Sequence, residues 1–172
     1  MRFIVICIAL IVTFGAHASD FDKIVKNYTA AVNSNDFELV AELLHPNELD
    51  LLKEKVDGSL QSSNKSSADK GLLRLLGVDS RQQAFKLTPK DVYIRICNNL
   101  MARYPNEALE IAIASSIYLG EERHDDIVVV TYKMTYNTGD EPVTRIVQHR
   151  LKEYKDSWRF LLTPETLAYF GL

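Results

Sequence analysis

The stretch that most constrains this chain lies between residues 127 and 162. Three runs rich in β-branched and aromatic residues, 127–136, 143–154 and 158–162, are separated by short segments that contain Asn, Gly, Asp and Pro. Such runs, divided by turn residues, are typical of consecutive β-hairpins. Apolar residues at helical spacing fill most of the chain before them. The sequence therefore predicts an α+β fold in which N-terminal helices pack on an antiparallel meander.

A fourth strand is predicted at 108–120, where the sequence is ambiguous. Ala, Leu and Glu favour a helix there, but apolar residues alternate strictly with other residues from Leu109 to Leu119. Alternation over that length favours a strand. The charged segment 121–126 is then expected to be a polar hairpin loop.

The N-terminal half predicts several amphipathic helices. The first spans about 20–32, the second begins at Asp36, and the third follows Pro46 and runs to about Val56. Thr88 and Pro89 mark the start of a strong helix that ends near Tyr104, and a short helical turn at 72–76 is closed by Gly77. The Ser-, Asn- and Lys-rich segment 57–71 between these helices is expected to be an exposed, mobile loop.

The N-terminus has the pattern of a secretory signal peptide. Arg2 precedes an apolar run at 3–14, and an Ala-x-Ala site follows at 16–18. The run is shorter than the roughly 20 residues that span a bilayer. We expect cleavage after residue 18, no stable membrane span in the mature chain, and export to the periplasm or the extracellular space. Residues 19–172 then form a single domain.

Several classes of function receive no support from the sequence. After signal cleavage Cys97 is the remaining cysteine, so an intramolecular disulfide is impossible. The position of Cys97 in a predicted helix indicates that it is a small buried hydrophobic residue. His45, His124 and His149 are far apart and lack ligand spacing, so no metal site is predicted. No phosphate loop, dinucleotide fingerprint or nucleophile elbow occurs, and no cofactor is expected. With 23 acidic and 20 basic residues and no basic stripe, the chain is not expected to bind nucleic acid.

Both ends of the mature chain resemble one known superfamily. Residues 28–46 combine a helix, the polar break Asn33-Ser34-Asn35 and a second helix that starts at Asp36-Phe37, and a Lys/Glu-rich hairpin leads into Trp158-Arg159-Phe160-Leu161. These features resemble the nuclear transport factor 2-like proteins, a cone-shaped fold that includes ketosteroid isomerase and polyketide cyclase-like proteins. The resemblance implies a curved four-stranded sheet whose concave face is covered by helices. Segment 57–104 is longer than the usual connection and looks like an insertion or an enlarged lid.

The candidate ligand site is the predicted core face of the sheet. The period of two places Tyr132 and Tyr136 on this face of one strand, and Arg145 and His149 on the same face of the next. Tyr28 of the first helix completes the candidate set. Clefts with apolar walls and a few polar groups are the usual ligand sites. The alternative is that Arg145 lies at an exposed strand end and that His149 bonds a backbone group or a tyrosine.

Three functions are compatible with this reading. The first is a non-catalytic binding protein that holds a small apolar or amphipathic ligand on the concave face, or a partner on the outer face; the lack of a recognisable catalytic set favours it. The second is an isomerase- or cyclase-like enzyme with His149 as base and Tyr132 as acid. The third is a structural accessory of an envelope complex that makes contact through loop 57–71 and helix 89–104.

Homodimerisation is also predicted, because related folds often pair through the open face of the sheet. The residues on that face are apolar for a surface that meets water. They are Ile127, Val129, Thr131, Ile146 and Leu161.

Overall fold

The computed structural model describes residues 20–62, 67–103, 113–137 and 141–163. Within these ranges the chain forms six α-helices followed by four β-strands. The helices are α1 (Asp20–Asn33), α2 (Phe37–Leu43), α3 (Pro46–Ser62), α4 (Ser67–Leu76), α5 (Arg81–Phe85) and α6 (Pro89–Arg103). The strands are β1 (Ile113–His124), β2 (Ile127–Tyr136), β3 (Val143–Tyr154) and β4 (Ser157–Phe160).

The sheet is an antiparallel meander in the order β1-β2-β3-β4, as predicted. Along β2 the predicted alternation is confirmed, because Val128, Val130, Tyr132 and Met134 are each at most 1% exposed while Lys133 is exposed. The register of β2 against β3 has no irregularity. The sheet therefore has one face that meets the helices and a second, outer face.

The helices pack in a layer whose centre is α6. This helix contacts α2, α3 and α4, and it buries Val92 and Ile96 completely. Its start is a capping box: Thr88 Oγ1 accepts from the Asp91 N–H at 3.1 Å, and the Asp91 carboxylate accepts from the Thr88 N–H at 3.1 Å. Cys97 is buried in this layer, so the prediction of a buried cysteine is confirmed.

Helix α1 is fastened to the sheet along its length. At its start the rings of Phe21 and Trp158 meet edge to face, with centroids 5.1 Å apart. At its end the Asn33 side chain donates to the Ile113 carbonyl (3.1 Å) and accepts from the Ile113 N–H (3.0 Å). The helix thereby holds its buried face against the sheet.

Two sequence predictions are wrong in part. The loop expected at 57–71 is helical at 57–62 and 67–71, because the buried stripe of α3 continues to Leu60, which is fully buried, and α4 begins before Gly71. The hairpin loop expected at 121–126 is strand up to His124, and the turn is confined to Asp125 and Asp126. Residue 125 adopts the left-handed region with φ 52°, which suits a tight two-residue turn.

Other predictions are confirmed within the described ranges. Segment 113–120 is a strand, as the alternation indicated, while residues 104–112 lie outside the described chain. Helix α2 begins after Asp36, whose carboxylate accepts from the Leu39 N–H at 3.0 Å. The observed order of elements is the α+β arrangement that the nuclear transport factor 2-like resemblance implied. The fold class is therefore confirmed.

Candidate functional site

The candidate site is organised around His149, on the helix-facing side of β3. In register it lies opposite Val130 and two residues before the fully buried Leu151. Three aromatic rings surround its imidazole edge to face: Phe160 of β4 at 5.5 Å, Tyr28 of α1 at 5.7 Å and Tyr132 of β2 at 6.2 Å between centroids. One helix and two strands thus supply the walls around the imidazole that β3 carries.

His149 is neutral at physiological pH because of this enclosure. Burial lowers the pKa of its imidazole from 6.5 to about 4. Its Nε2 atom is buried and has no hydrogen-bond partner among the described residues. Buried polar atoms in native proteins are nearly always hydrogen-bonded, so an unpaired one calls for an explanation.

Tyr132 differs from His149 because its hydroxyl is fully engaged. It donates to Asp22 Oδ1 at 2.7 Å, and the ammonium of Lys26 donates to Asp22 Oδ2 at 2.7 Å. Burial would raise the pKa of Asp22, but the hydrogen bonds from Lys26 and Tyr132 hold it below its usual value. Burial, and then the hydrogen bond to Asp22, raise the pKa of Tyr132 far above its usual value. Tyr132 is therefore a protonated donor whose partner is a carboxylate.

Three candidate residues remain: Tyr28, Tyr136 and Arg145. Burial raises the pKa of Tyr28 to about 12, with smaller contributions from nearby Cys97 and Tyr136. Burial also raises the pKa of Tyr136, against the opposing effect of Arg145. Arg145 lies opposite Met134 and is exposed. Tyr28, Tyr136 and His149 are thus partly buried, and Arg145 is exposed.

The structure brings Tyr28, Tyr132 and His149 into direct ring contact and places Tyr136 and Arg145 toward the exposed end. Arg145 is on the predicted face but outside the covered part of it. Sequence reasoning missed Asp22 and Phe160. Phe160 lies in the strand predicted at 158–162, but no pattern indicated that its ring contacts His149. Asp22 was missed because its partner, Tyr132, lies 110 residues away.

A separate groove of about 580 Å³ lies at the other end of α1 and contains none of the candidate residues. Its apolar floor includes Phe21 and Trp158, and the guanidinium of Arg123 lies 5.4 Å above the Trp158 ring. Arg159, Asp156 and Asp20 also line the groove. Because both signs of charge are present, the groove favours no single ligand charge.

The described residues contain neither a metal-ligand cluster nor a membrane-spanning helix. In 20–62, 67–103, 113–137 and 141–163, no three His, Cys, Asp or Glu residues are grouped as metal ligands. No helix in these ranges is long and apolar enough to cross a bilayer.

Comparisons with known proteins give one likeness. No family model matches the chain, and no curated protein matches it. The chain is similar to a crystal structure described as a nuclear transport factor 2-like transpeptidase from Campylobacter jejuni, at 13% identity and a TM-score of 0.40, over 84% of this chain and 100% of that one. The element order and strand register described above, and not this likeness, define the α+β fold.

Proposed function

We propose that this chain is an exported binding protein whose small ligand enters between the helices and the sheet and contacts His149. The observation that carries the proposal is the buried Nε2 atom without a hydrogen-bond partner among the described residues. Leaving such an atom unpaired costs about 1–3 kcal/mol. A ligand that donates to Nε2 or accepts from it recovers that free energy, and the rings of Tyr28, Tyr132 and Phe160 supply apolar contact.

Export is part of the proposal and rests on the N-terminal sequence. A short apolar run with one preceding positive charge and an Ala-x-Ala site is the pattern that secretion machinery recognises. N-terminal sequencing of the protein from an envelope fraction should begin at Ser19. A start at Met1 would contradict export by signal cleavage.

An isomerase- or cyclase-like activity is the second candidate function. It is favoured by the neutral state of His149, which leaves a ring nitrogen able to accept a proton, and by Tyr132 within 6.2 Å of it between centroids. Against it stands the hydrogen bond from Tyr132 to Asp22, because a hydroxyl bound to a carboxylate is a weak proton donor. If a turnover is found and His149→Ala leaves it unchanged, the assignment of His149 as the base is wrong.

Native mass spectrometry of protein purified gently from its own envelope fraction tests the binding proposal. We expect the wild type to retain a small-molecule mass. His149→Phe should lose that mass, because phenylalanine fills the ring position without a polar atom. His124→Gln is the matched control, since His124 is an exposed histidine at the end of β1.

Two outcomes would contradict the proposal. One is the wild type carrying no small molecule while it remains attached to a second polypeptide, which favours the accessory function. The other is equal retention of the small-molecule mass by wild type and His149→Phe.

For the accessory function, α6 would present only its exposed side to a partner, because its buried stripe faces the other helices.

We further propose that the outer face of the sheet pairs with a second copy of the chain. Ile117 of β1 and Ile146 of β3 flank Lys133 in one row across the sheet, and they are 55% and 62% exposed. Two apolar side chains this exposed on one face favour an interface.

Sedimentation measurements test this pairing. Ile146→Lys should convert a dimer to a monomer, because it replaces an exposed apolar side chain with a second positive charge directly opposite Lys133. Leu51→Lys, at a 40% exposed position on α3, is the control and should leave the dimer intact. A monomeric wild type at micromolar concentration would overturn the pairing proposal.

A further inference from the structure

We infer that the ligand of the His149 site is an amphipathic molecule with an oxyanion at one end, which binds Arg145, and a neutral hydrogen-bonding group at the other end, which binds His149. This inference rests on the proposed binding function and specifies the chemistry of its ligand. It follows from the different surroundings of Arg145 and His149, which lie on the same face of β3.

The outer end of the site carries an available positive charge. Arg145 is exposed, and within the described residues no carboxylate forms an ion pair with it. Arg145 and Tyr136 are diagonal neighbours on the same face of the sheet, because Arg145 pairs with Met134 and Tyr136 pairs with Val143. A guanidinium group offers a planar fork of donors that matches a carboxylate or a phosphate. The Arg145 end therefore favours an oxyanion.

The inner end of the site disfavours a charged group. The rings around His149 belong to Tyr28, Tyr132 and Phe160, and the imidazole itself is neutral. Asp22, the carboxylate that accepts from Tyr132, is already paired with Lys26. An ion here would lose its hydration without a counter-charge. A hydroxyl or an amide, in contrast, can satisfy Nε2 at little cost.

The two ends are separated by a distance that sets the ligand length. Arg145 and His149 are four residues apart on β3, which corresponds to about 13 Å along a strand. Between them on the same face lies Val147, which pairs with Tyr132, and Met134 lies opposite Arg145. These side chains favour an apolar body. A ten-carbon chain is about the right length to join the two ends.

Calorimetric titration with three probes tests the inference. The probes are ω-hydroxydecanoate, decanediol with a hydroxyl at each end, and decanoate without a hydroxyl. We expect ω-hydroxydecanoate to bind the wild type about tenfold more tightly than either of the others, since each loses one strong hydrogen-bonding end.

Matched variants assign each end to its residue. Arg145→Gln should remove the preference for ω-hydroxydecanoate over the diol, and His149→Phe should remove the preference over decanoate. Arg150→Gln is the control, because Arg150 is exposed on the opposite face of the same strand and should change neither preference. A decyl phosphate with a terminal hydroxyl then distinguishes a phosphate head group from a carboxylate.

The outcomes separate the ligand class from the binding function. If the diol binds as tightly as ω-hydroxydecanoate, or if Arg145→Gln changes nothing while His149→Phe still weakens binding, the oxyanion assignment is overturned and the binding site remains. If no probe binds and the native protein retains no small molecule, both the ligand class and the proposed function are overturned.

Discussion

A His149→Phe variant is expected to lose much less stability than the wild type when the pH falls from about 6.5 to about 4. In this window the unfolded chain protonates its histidine, with a pKa near 6.5, while the folded protein holds His149 neutral because its pKa is about 4. The unfolded state therefore binds the extra proton, and the free energy of unfolding falls by about 1.4 kcal/mol per pH unit. The free energy of unfolding is highest at pH values above the unfolded-state pKa of about 6.5. At pH 4 the loss due to His149 amounts to about 3 kcal/mol.

Urea unfolding at several pH values between 7 and 4 measures this difference. His45 is also buried and its pKa is also lowered, mainly by burial, so it contributes in the same direction. His45 is present in both wild type and variant. The difference between their slopes of unfolding free energy against pH therefore reports the contribution of His149. His124→Gln is the control for replacement of an exposed histidine. Equal slopes for wild type and His149→Phe would show that His149 is not buried as a neutral group.

Leu60→Ala is expected to lower the free energy of unfolding by about 3 kcal/mol. Leu60 lies near the end of α3 and is fully buried. Its truncation leaves a cavity among helices that cannot close around the smaller side chain. A loop residue in the same sequence would cost little, so the variant tests whether the helix continues through this Ser-rich segment.

The preceding residue provides the control for this prediction. Ser59 is exposed on the same turn of α3, and Ser59→Ala should change the free energy of unfolding by less than about 0.5 kcal/mol. A Leu60→Ala effect as small as that of Ser59→Ala would contradict the extended helix.

The strands were predictable because their burial follows a local rule. In β2 every second side chain is buried and the register with β3 is regular, so alternation in the sequence was sufficient. The end of β1 was not predictable in this way. Residues 121–124 are exposed, and a strand without a buried face has no apolar alternation to reveal it.

The extended α3 shows how composition can mislead. Gly58, Ser59 and Ser62 have low helix propensity, and they favoured a loop. Leu60 nevertheless continues the stripe of Leu49, Leu52 and Val56 at helical spacing. Tertiary burial of that stripe outweighs the low helix propensity, and the apolar spacing is the sequence feature that indicates the longer helix.

The sequence predicted which candidate residues share a face of the sheet, but not which part of that face is buried. The period of two placed Arg145 and His149 on one face correctly, but only the part of β3 that the helices cover is buried, and coverage depends on packing between distant segments. The pairing of Asp22 with Tyr132 joins α1 to β2 in the same way. No local pattern in the sequence indicates either feature.

The edge of β1 has a consequence for solubility. β1 is 12 residues long, and within the described chain it pairs with a strand on one side only; long flat edges of this kind recruit strands from other molecules. Here the Asn33 amide occupies both backbone groups of Ile113, and the register shifts between Tyr118 and Gly120, where glycine adopts φ 150°. Only short stretches of straight edge remain, and the last of them carries charged side chains. We expect these features to disfavour edge-to-edge aggregation at high local concentration.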